Sequence, residues 1–267
     1  MEITKAFEDE DFAKFDRGPK PDVYYAGMMQ YDGDLGIPRH YLVTPPAIDR
    51  TVGEYLVASN VRTMAISETQ KFGHVTYFFN GNRTGKFSEK LEDYVEVPSD
   101  RVPFEQRPWM KCAEITDKVI QAIESGDYRF IRLNFPNGDM VGHTGVYQSV
   151  ICGMEAMDIQ LGRLAETIRK AGGIMLLTAD HGNSDDMYEH DKKTKKVLLD
   201  MDGSPKAKTS HSLNPVPCVI YDPESREEYD HALVGGKGIS SLAATCIELL
   251  GFVPPADYDP SVLSMKA

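Results

Sequence analysis

The chain has 267 residues, 41% of them hydrophobic, which is enough to bury a sizeable core in one large α/β domain or in a domain with a piece of another. A formal net charge of −12 argues against a general nucleic-acid binder, because the one basic cluster (Lys192, Lys193, Lys195, Lys196) is followed by Asp200 and Asp202 and reads as a solvated loop or hairpin. No apolar run approaches the ~20 residues of a bilayer span, the N-terminus lacks a signal pattern, and four scattered cysteines form no CxxC pair, so a soluble cytoplasmic protein with no membrane role is expected.

Residues 1 to about 45 are unlike the rest. A helical pattern (Ile3, Phe7, Phe12, Phe15) passes through Gly18-Pro19-Lys20-Pro21 into the strand-like Val23 to Met29, and Pro45-Pro46 then marks a domain junction. A new helix should start near Asp49, with Thr51 and Glu54 at capping-box spacing as a competing start. Strands are expected at Thr63 to Ile66 and Val75 to Phe79. A helix over 111–125 carries Cys112, Ile115, Val119 and Ile123 on one stripe, and a strand follows at Phe130 to Asn134. A longer helix, 147–171, repeats Val150, Met154, Met157, Leu161, Leu164 and Ile168 as one buried face and should stop at Gly172-Gly173. After it come a strand at Ile174 to Leu177, a polar excursion over 184–210, a strand at Val216 to Tyr221 and a helix near Ser240 to Leu250. This alternation predicts an α/β fold, a mostly parallel sheet with helices on both faces.

Chemistry should gather beyond the carboxyl ends of such strands. Strand 130–134 feeds Asp139 and His143, strand 174–177 feeds Asp180 and His181, and His211 reaches the same rim only if the excursion folds back. Asp180-His181 alone would read as an Asx-turn with a solvent-facing imidazole. The three segments together give five oxygen and nitrogen ligands, more than one tetrahedral site uses, and fit two divalent cations of the Mn²⁺ or Zn²⁺ kind acting on a phosphoryl group. Gly138, Gly142 and Gly182 are expected to make the tight turns that aim these ligands. His74 reads as a satisfied histidine at a strand start, His190 as exposed, and His40 and His231 carry no signal.

Asn134-Phe-Pro-Asn-Gly-Asp-Met-Val-Gly-His-Thr-Gly145, Leu177-Thr-Ala-Asp-His-Gly-Asn183, Thr209-Ser-His-Ser-Leu-Asn-Pro-Val-Pro217, Ser67 to Gly81 and Phe12 to Pro19 together resemble the cofactor-independent (2,3-bisphosphoglycerate-independent) phosphoglycerate mutases of the alkaline-phosphatase-like superfamily. The resemblance implies an isomerase of glycolysis and gluconeogenesis that interconverts 3- and 2-phosphoglycerate by intramolecular phosphotransfer through a phosphoserine. It implies that Asp139, His143 and His211 hold one Mn²⁺, with Mg²⁺, Zn²⁺ or Co²⁺ as substitutes, that Asp180 and His181 are ligands of a second, and that Lys71 touches the transferred phosphoryl group. Without the resemblance, Lys71 is equally well an ordinary surface lysine.

Family members are about twice this length, and their serine nucleophile and an upstream metal-binding aspartate have no counterpart here. The chain therefore resembles a C-terminal portion: 1–45 as the tail of the phosphotransferase domain, a small remnant of a second α/β domain, and 46–267 as the larger part of an incomplete metal-binding phosphatase domain. By itself it is expected to be inactive, with an incomplete second metal site and with either an N-terminal half as partner or self-association through uncovered apolar surface. A metal-dependent phosphohydrolase and a non-catalytic half needing a separate partner are the alternatives.

Overall fold

The computed structural model describes residues 2–30, 36–44 and 48–266; Pro45 and Pro46, the expected junction, lie outside the described residues. The first helix, α1 (Glu2–Glu8), is shorter than the apolar pattern suggested, and Phe12 and Phe15 pack edge to face beyond its end with ring centroids 4.9 Å apart. Of the strand-like run from Val23, only β1 (Gly27–Met29) is a strand, paired in parallel with β2 (Tyr41–Val43). Phe7 stacks on Tyr25 and the Glu8 carboxylate accepts from the Arg39 amide, which ties these pieces to one another.

The next helix, α2 (Val52–Ala58), takes the capping-box start. Thr51 is its N-cap, and its hydroxyl accepts from the Glu54 amide at 3.4 Å, while the Glu54 carboxylate accepts from the Arg50 amide. It leads into β3 (Thr63–Glu68), every residue of which is buried. β3 is the centre of a three-stranded parallel sheet, flanked by β4 (Glu92–Val97) and β5 (Phe130–Asn134) in the order β4-β3-β5.

The Val75 to Phe79 run is not a strand. His74–Phe78 coil into a π-helical turn, because the chain leaves β3 through a 3₁₀ turn at Thr69–Lys71 and keeps winding. Thr76 donates its hydroxyl to the Phe72 carbonyl one turn back, and the Val75 carbonyl accepts from Arg132 Nε at 2.7 Å, so the backbone polar groups are met without a sheet neighbour. The place beside β3 goes instead to β4. Its acidic sequence hid it: Glu92 is buried at its start, where its carboxylate accepts from the Phe87 and Ser88 amides.

Two helices cover this sheet's core. α3 (Cys112–Ser125) and α5 (Tyr147–Ala171) pack together and enclose Met64, Ile66, Val97, Ile115, Val119, Ala122 and Leu164. α5 ends where the sequence placed its stop, at Gly172 in the left-handed conformation. Its expected stripe is only partly covered: Val150 and Leu164 are buried, but Met157, Leu161 and Ile168 are half-buried and Met154 is 38% exposed. Between β5 and α5 lies the short α4 (Asn137–Gly142).

β6 (Met175–Thr178) and β7 (Cys218–Tyr221) form a separate antiparallel pair, and α6 (Leu242–Leu249) follows. The sheet content is thus mostly parallel, with this one reversed pair. The excursion between β6 and β7 folds back on itself through bridges between Tyr188 and Ala207, His190 and Val197, and Leu199 and Pro205. Met187 at its base is buried against Met110, Val141 and Val150. No described helix is long and apolar enough to cross a membrane. All four cysteines are free; Cys112 is buried, the other three are half-buried, and burial pushes the Cys246 thiol up to about 11.

Candidate metal centre

Three strand ends converge on one rim. Ser67 of β3 is in register with Asn134 of β5, so the 3₁₀ turn bearing Lys71 and the helix bearing Asp139 leave the sheet side by side. On α4 the spacing Asp139-x-x-x-His143 places both side chains on one face, with His143 Nε2 3.1 Å from Asp139 Oδ1. The loop after β6 brings Asp180 and His181. His211 arrives from the far end of the excursion because Ser212 is bridged to Gly182, its amide donating to the Gly182 carbonyl at 2.9 Å. Its Nε2 comes within 3.3 Å of the same Asp139 Oδ1.

One oxygen and two imidazole nitrogens, from Asp139, His143 and His211, lie within 4.8 Å of one another. A carboxylate with two imidazoles is a donor set that suits a borderline divalent cation, and three protein ligands leave coordination positions open. The residues therefore fit the ion their types implied. The His143 Nδ1 faces the Lys208 carbonyl at 3.4 Å, the backbone contact that presents Nε2 to the cluster. Asp180 and His181 adjoin this triad. The His181 ring stacks on His211 at 3.5 Å between centroids and 9° between planes, and its Nε2 is 3.5 Å from Asp180 Oδ2. Asp180 is 48% exposed, so the second pair lies on the open side.

Lys71 is no surface lysine. Its side chain is 6% exposed and its ammonium is 2.6 Å from Asp139 Oδ2, whose own side chain is 12% exposed. Burial pushes the Asp139 carboxyl up, but the Lys71 hydrogen bond and charge and the Asn183 amide outweigh it and hold the group below its ordinary value. Burial, then the neighbouring His181, holds His211 below the usual imidazole range, which favours the neutral form that binds a cation.

Sequence reasoning gave Asn183 no role. Its Nδ2 donates to Asp139 Oδ1 at 2.6 Å and to the Asp139 carbonyl at 3.3 Å, fixing the carboxylate that the other ligands share. The signal was its place in the Asp-His-Gly-Asn run, on the loop that has to face α4. Asp185 likewise accepts from Ser212 at 2.8 Å and from Asn214 at 2.5 Å, clamping the return of the excursion. His74, expected at a strand start, opens the π-helical turn instead, near enough to the cluster to feel its charges. Burial and then Lys71 lower its pKa, against a smaller opposing pull from Asp180 and Asp139. His190 is exposed, as expected.

The glycines act through closeness. A Cβ on Gly142, which is helical, would collide with the Asn183 amide oxygen, and one on Gly182 with the Ser212 hydroxyl and the Asp185 carboxylate. Small residues here let α4 and the two loops touch, which is a different reason from the tight turns expected of them.

Known proteins resemble the chain over nearly its whole length. It is 52% identical to a 2,3-bisphosphoglycerate-independent phosphoglycerate mutase of Trypanosoma brucei brucei, over 99% of this chain and 48% of that protein. It is 49% identical to a probable enzyme of the same name from Leptospira interrogans, over 100% of this chain and 48% of that one. A solved structure of Leishmania mexicana phosphoglycerate mutase at low cobalt concentration superposes with a TM-score of 0.91 at 50% identity, covering 99% of this chain and 48% of that chain. The chain spans about half the length of the curated relatives it matches. A family model described as the Metalloenzyme superfamily matches residues 21–254, and the clustered carboxylate and imidazoles lie inside that span: the chain belongs to the Metalloenzyme superfamily.

Proposed function

We propose that the chain supplies the metal-binding and phosphoryl-handling share of a 2,3-bisphosphoglycerate-independent phosphoglycerate mutase, an isomerase of the cytoplasm that interconverts 3- and 2-phosphoglycerate through a phosphoserine. In this reading 46–267 are the larger part of the phosphatase domain and 1–45 the tail of the phosphotransferase domain. Asp139, His143 and His211 hold one Mn²⁺; Asp180 and His181 give two ligands to a second, which an N-terminal half completes along with the serine nucleophile. The observation that carries the reading is the convergence of Lys71, His143 and His211 on the single carboxylate of Asp139.

The cations, when bound, polarise the phosphoryl group and favour the ionised form of the attacking hydroxyl. The chain's own residues orient and shield. The Lys71 ammonium has three donors: one holds Asp139, and two remain for the equatorial oxygens of the phosphoryl group, where negative charge gathers during transfer. Asn183 keeps the Asp139 carboxylate in the rotamer that faces both imidazoles.

Mn²⁺ titration by calorimetry tests the assignment. The intact chain should bind one ion through the triad, and His211→Ala should weaken that binding by more than about tenfold, the lower range for loss of even an outer-shell partner. Equal affinities reject the assignment. The 267 residues alone should give negligible interconversion of the phosphoglycerates, and robust turnover would overturn that part of the proposal. Release of inorganic phosphate from a generic phosphate ester would instead favour a metal-dependent phosphohydrolase.

A further inference from the structure

α4 brings His143 to the cluster but does not by itself fix the ring. His143 is the cap residue at the end of α4, and the chain leaves it through Thr144 and Gly145, the latter left-handed at φ +71°. The torsion that turns an imidazole is broad, so the aim of Nε2 depends on what Nδ1 bonds. That partner is the Lys208 carbonyl at 3.4 Å. A carbonyl only accepts, so Nδ1 carries the proton and Nε2 keeps its lone pair for the cluster. Lys208 lies on the returning arm of the excursion, far from α4 along the chain, and its carbonyl has to be held in place.

The inner part of the excursion does this. The Lys208 amide donates to the Met187 carbonyl at 2.9 Å, the Glu189 amide donates to the Lys206 carbonyl at 2.9 Å, and Tyr188 is bridged to Ala207. The Lys208 ammonium is 2.6 Å from Asp186 Oδ2, with the two side chains 18% and 30% exposed. Lys208 is thus fixed at both its amide and its ammonium. The same two arms also grip the turn that follows α4. Tyr188 donates its hydroxyl to the Gly145 carbonyl at 3.1 Å, and a Cβ added to Gly145 would stand 2.8 Å from Ala207 Cβ. Met187 is buried in one cluster with Val141 of α4.

We infer that Tyr188 and Asp186 are positioning residues for His143: they keep the Lys208 carbonyl against its Nδ1, and so set the aim of its Nε2 and the affinity of the cluster for a cation. The excursion then serves both imidazoles of the triad, His211 by carrying it and His143 by orienting it. Beyond the bridge at His190 it has no share in this task. The inference rests on the reading that Asp139, His143 and His211 hold a divalent cation.

Mn²⁺ titration of the chain tests it with three variants. Tyr188→Phe loses only the hydroxyl, Asp186→Asn removes the charge that holds Lys208, and an amide-to-ester exchange of the Lys208–Thr209 bond weakens the accepting carbonyl with every side chain in place. Each should weaken binding about three- to tenfold, the span expected for loss of one hydrogen bond. Asp186→Glu, which keeps a carboxylate for Lys208, should recover most of the affinity, and Leu199→Ser, in the outer part, should leave it unchanged. In the Zn²⁺-loaded chain, the His143 Nδ1 proton, followed by NMR on isotope-labelled histidine, should exchange with water faster by the same factor in all three variants. Weaker binding that merely follows a lower melting temperature in chelator, with proton exchange unaltered, leaves Tyr188 and Asp186 a stabilising role only and overturns the inference. So does affinity within about twofold of the parent in all three while His211→Ala still weakens it. Insensitivity to His211→Ala as well would sink the metal reading first, and the inference with it.

Discussion

Replacing Lys71 with methionine keeps the stem of the side chain and removes its charge. The ion pair with Asp139 is buried on both sides, so the discount that applies to solvent-screened surface pairs does not apply. Removing one partner of a buried pair costs about 3–5 kcal/mol. The hydrogen bond from Asn183 to Asp139 Oδ1 survives, so the lower end, about 3 kcal/mol, is expected. At roughly 2–4 °C per kcal/mol for a chain of this size, Tm should fall by about 6–12 °C in chelator. Metal binding moves the other way. The charge-assisted hydrogen bond that competes for the Asp139 carboxylate is worth about 1.5–3 kcal/mol, and its loss should tighten Mn²⁺ binding about ten- to hundredfold. In saturating Mn²⁺ the deficit of Lys71→Met should therefore shrink by about 1.4–2.7 kcal/mol. Melting curves in chelator and across an Mn²⁺ series, with calorimetric titration of both proteins, give every quantity. A Tm deficit unchanged by Mn²⁺, with unchanged affinity, would show that Lys71 and the cation do not share Asp139.

Asn183→Ala removes the donor that fixes Asp139 and should weaken Mn²⁺ binding about 10- to 100-fold, read by the same titration; affinity within twofold of the parent would deny it a positioning role. Gly142→Ala pushes a methyl group against Asn183 and should cost about 1–3 kcal/mol in denaturant melts, whereas Gly162→Ala, at an exposed position of α5 with open space around its Cβ, should add roughly 0.5–1 kcal/mol. Burial raises the Glu68 carboxyl above its ordinary 4.5, and the contacts to Ser99 and Lys111 only partly offset this. The folded state then binds more protons than the unfolded one between those two values, so native stability falls as pH rises through the folded pKa. Glu68→Gln should accordingly gain on the parent protein from about pH 4.5 upward and level off above the folded pKa; a difference independent of pH between 4 and 8 would contradict the burial argument.

The long α3 and α5, β3 and β5, and the Gly172 stop were legible because each combines a sustained period with a clear terminator. Val75 to Phe79 misled because five β-branched and aromatic residues do not reveal whether their backbone has a neighbour to bond, and here the partners were Phe72 and Arg132. β4 was missed because three acids in six residues look like a solvated loop, although Glu92 is buried where two amides meet its carboxylate. The gathering of Asp139, His143 and His211 was readable from their types and their places in the chain. Asn183 and the close approach of Gly142 were not, since both depend on which loop faces which helix, a tertiary fact with no periodic trace.

The bridge between Gly182 and Ser212 acts as a staple across the feet of the excursion. Met187 and Lys208 anchor the inner rungs, the one buried in the core and the other holding its ammonium to Asp186 at 2.6 Å. Beyond them, the bridges at His190 and Leu199 close only on the excursion itself. Drift among lineages in the length or sequence of that outer portion would leave His211 where it is, so this ribbon is where the molecule can diversify its surface without retuning its chemistry.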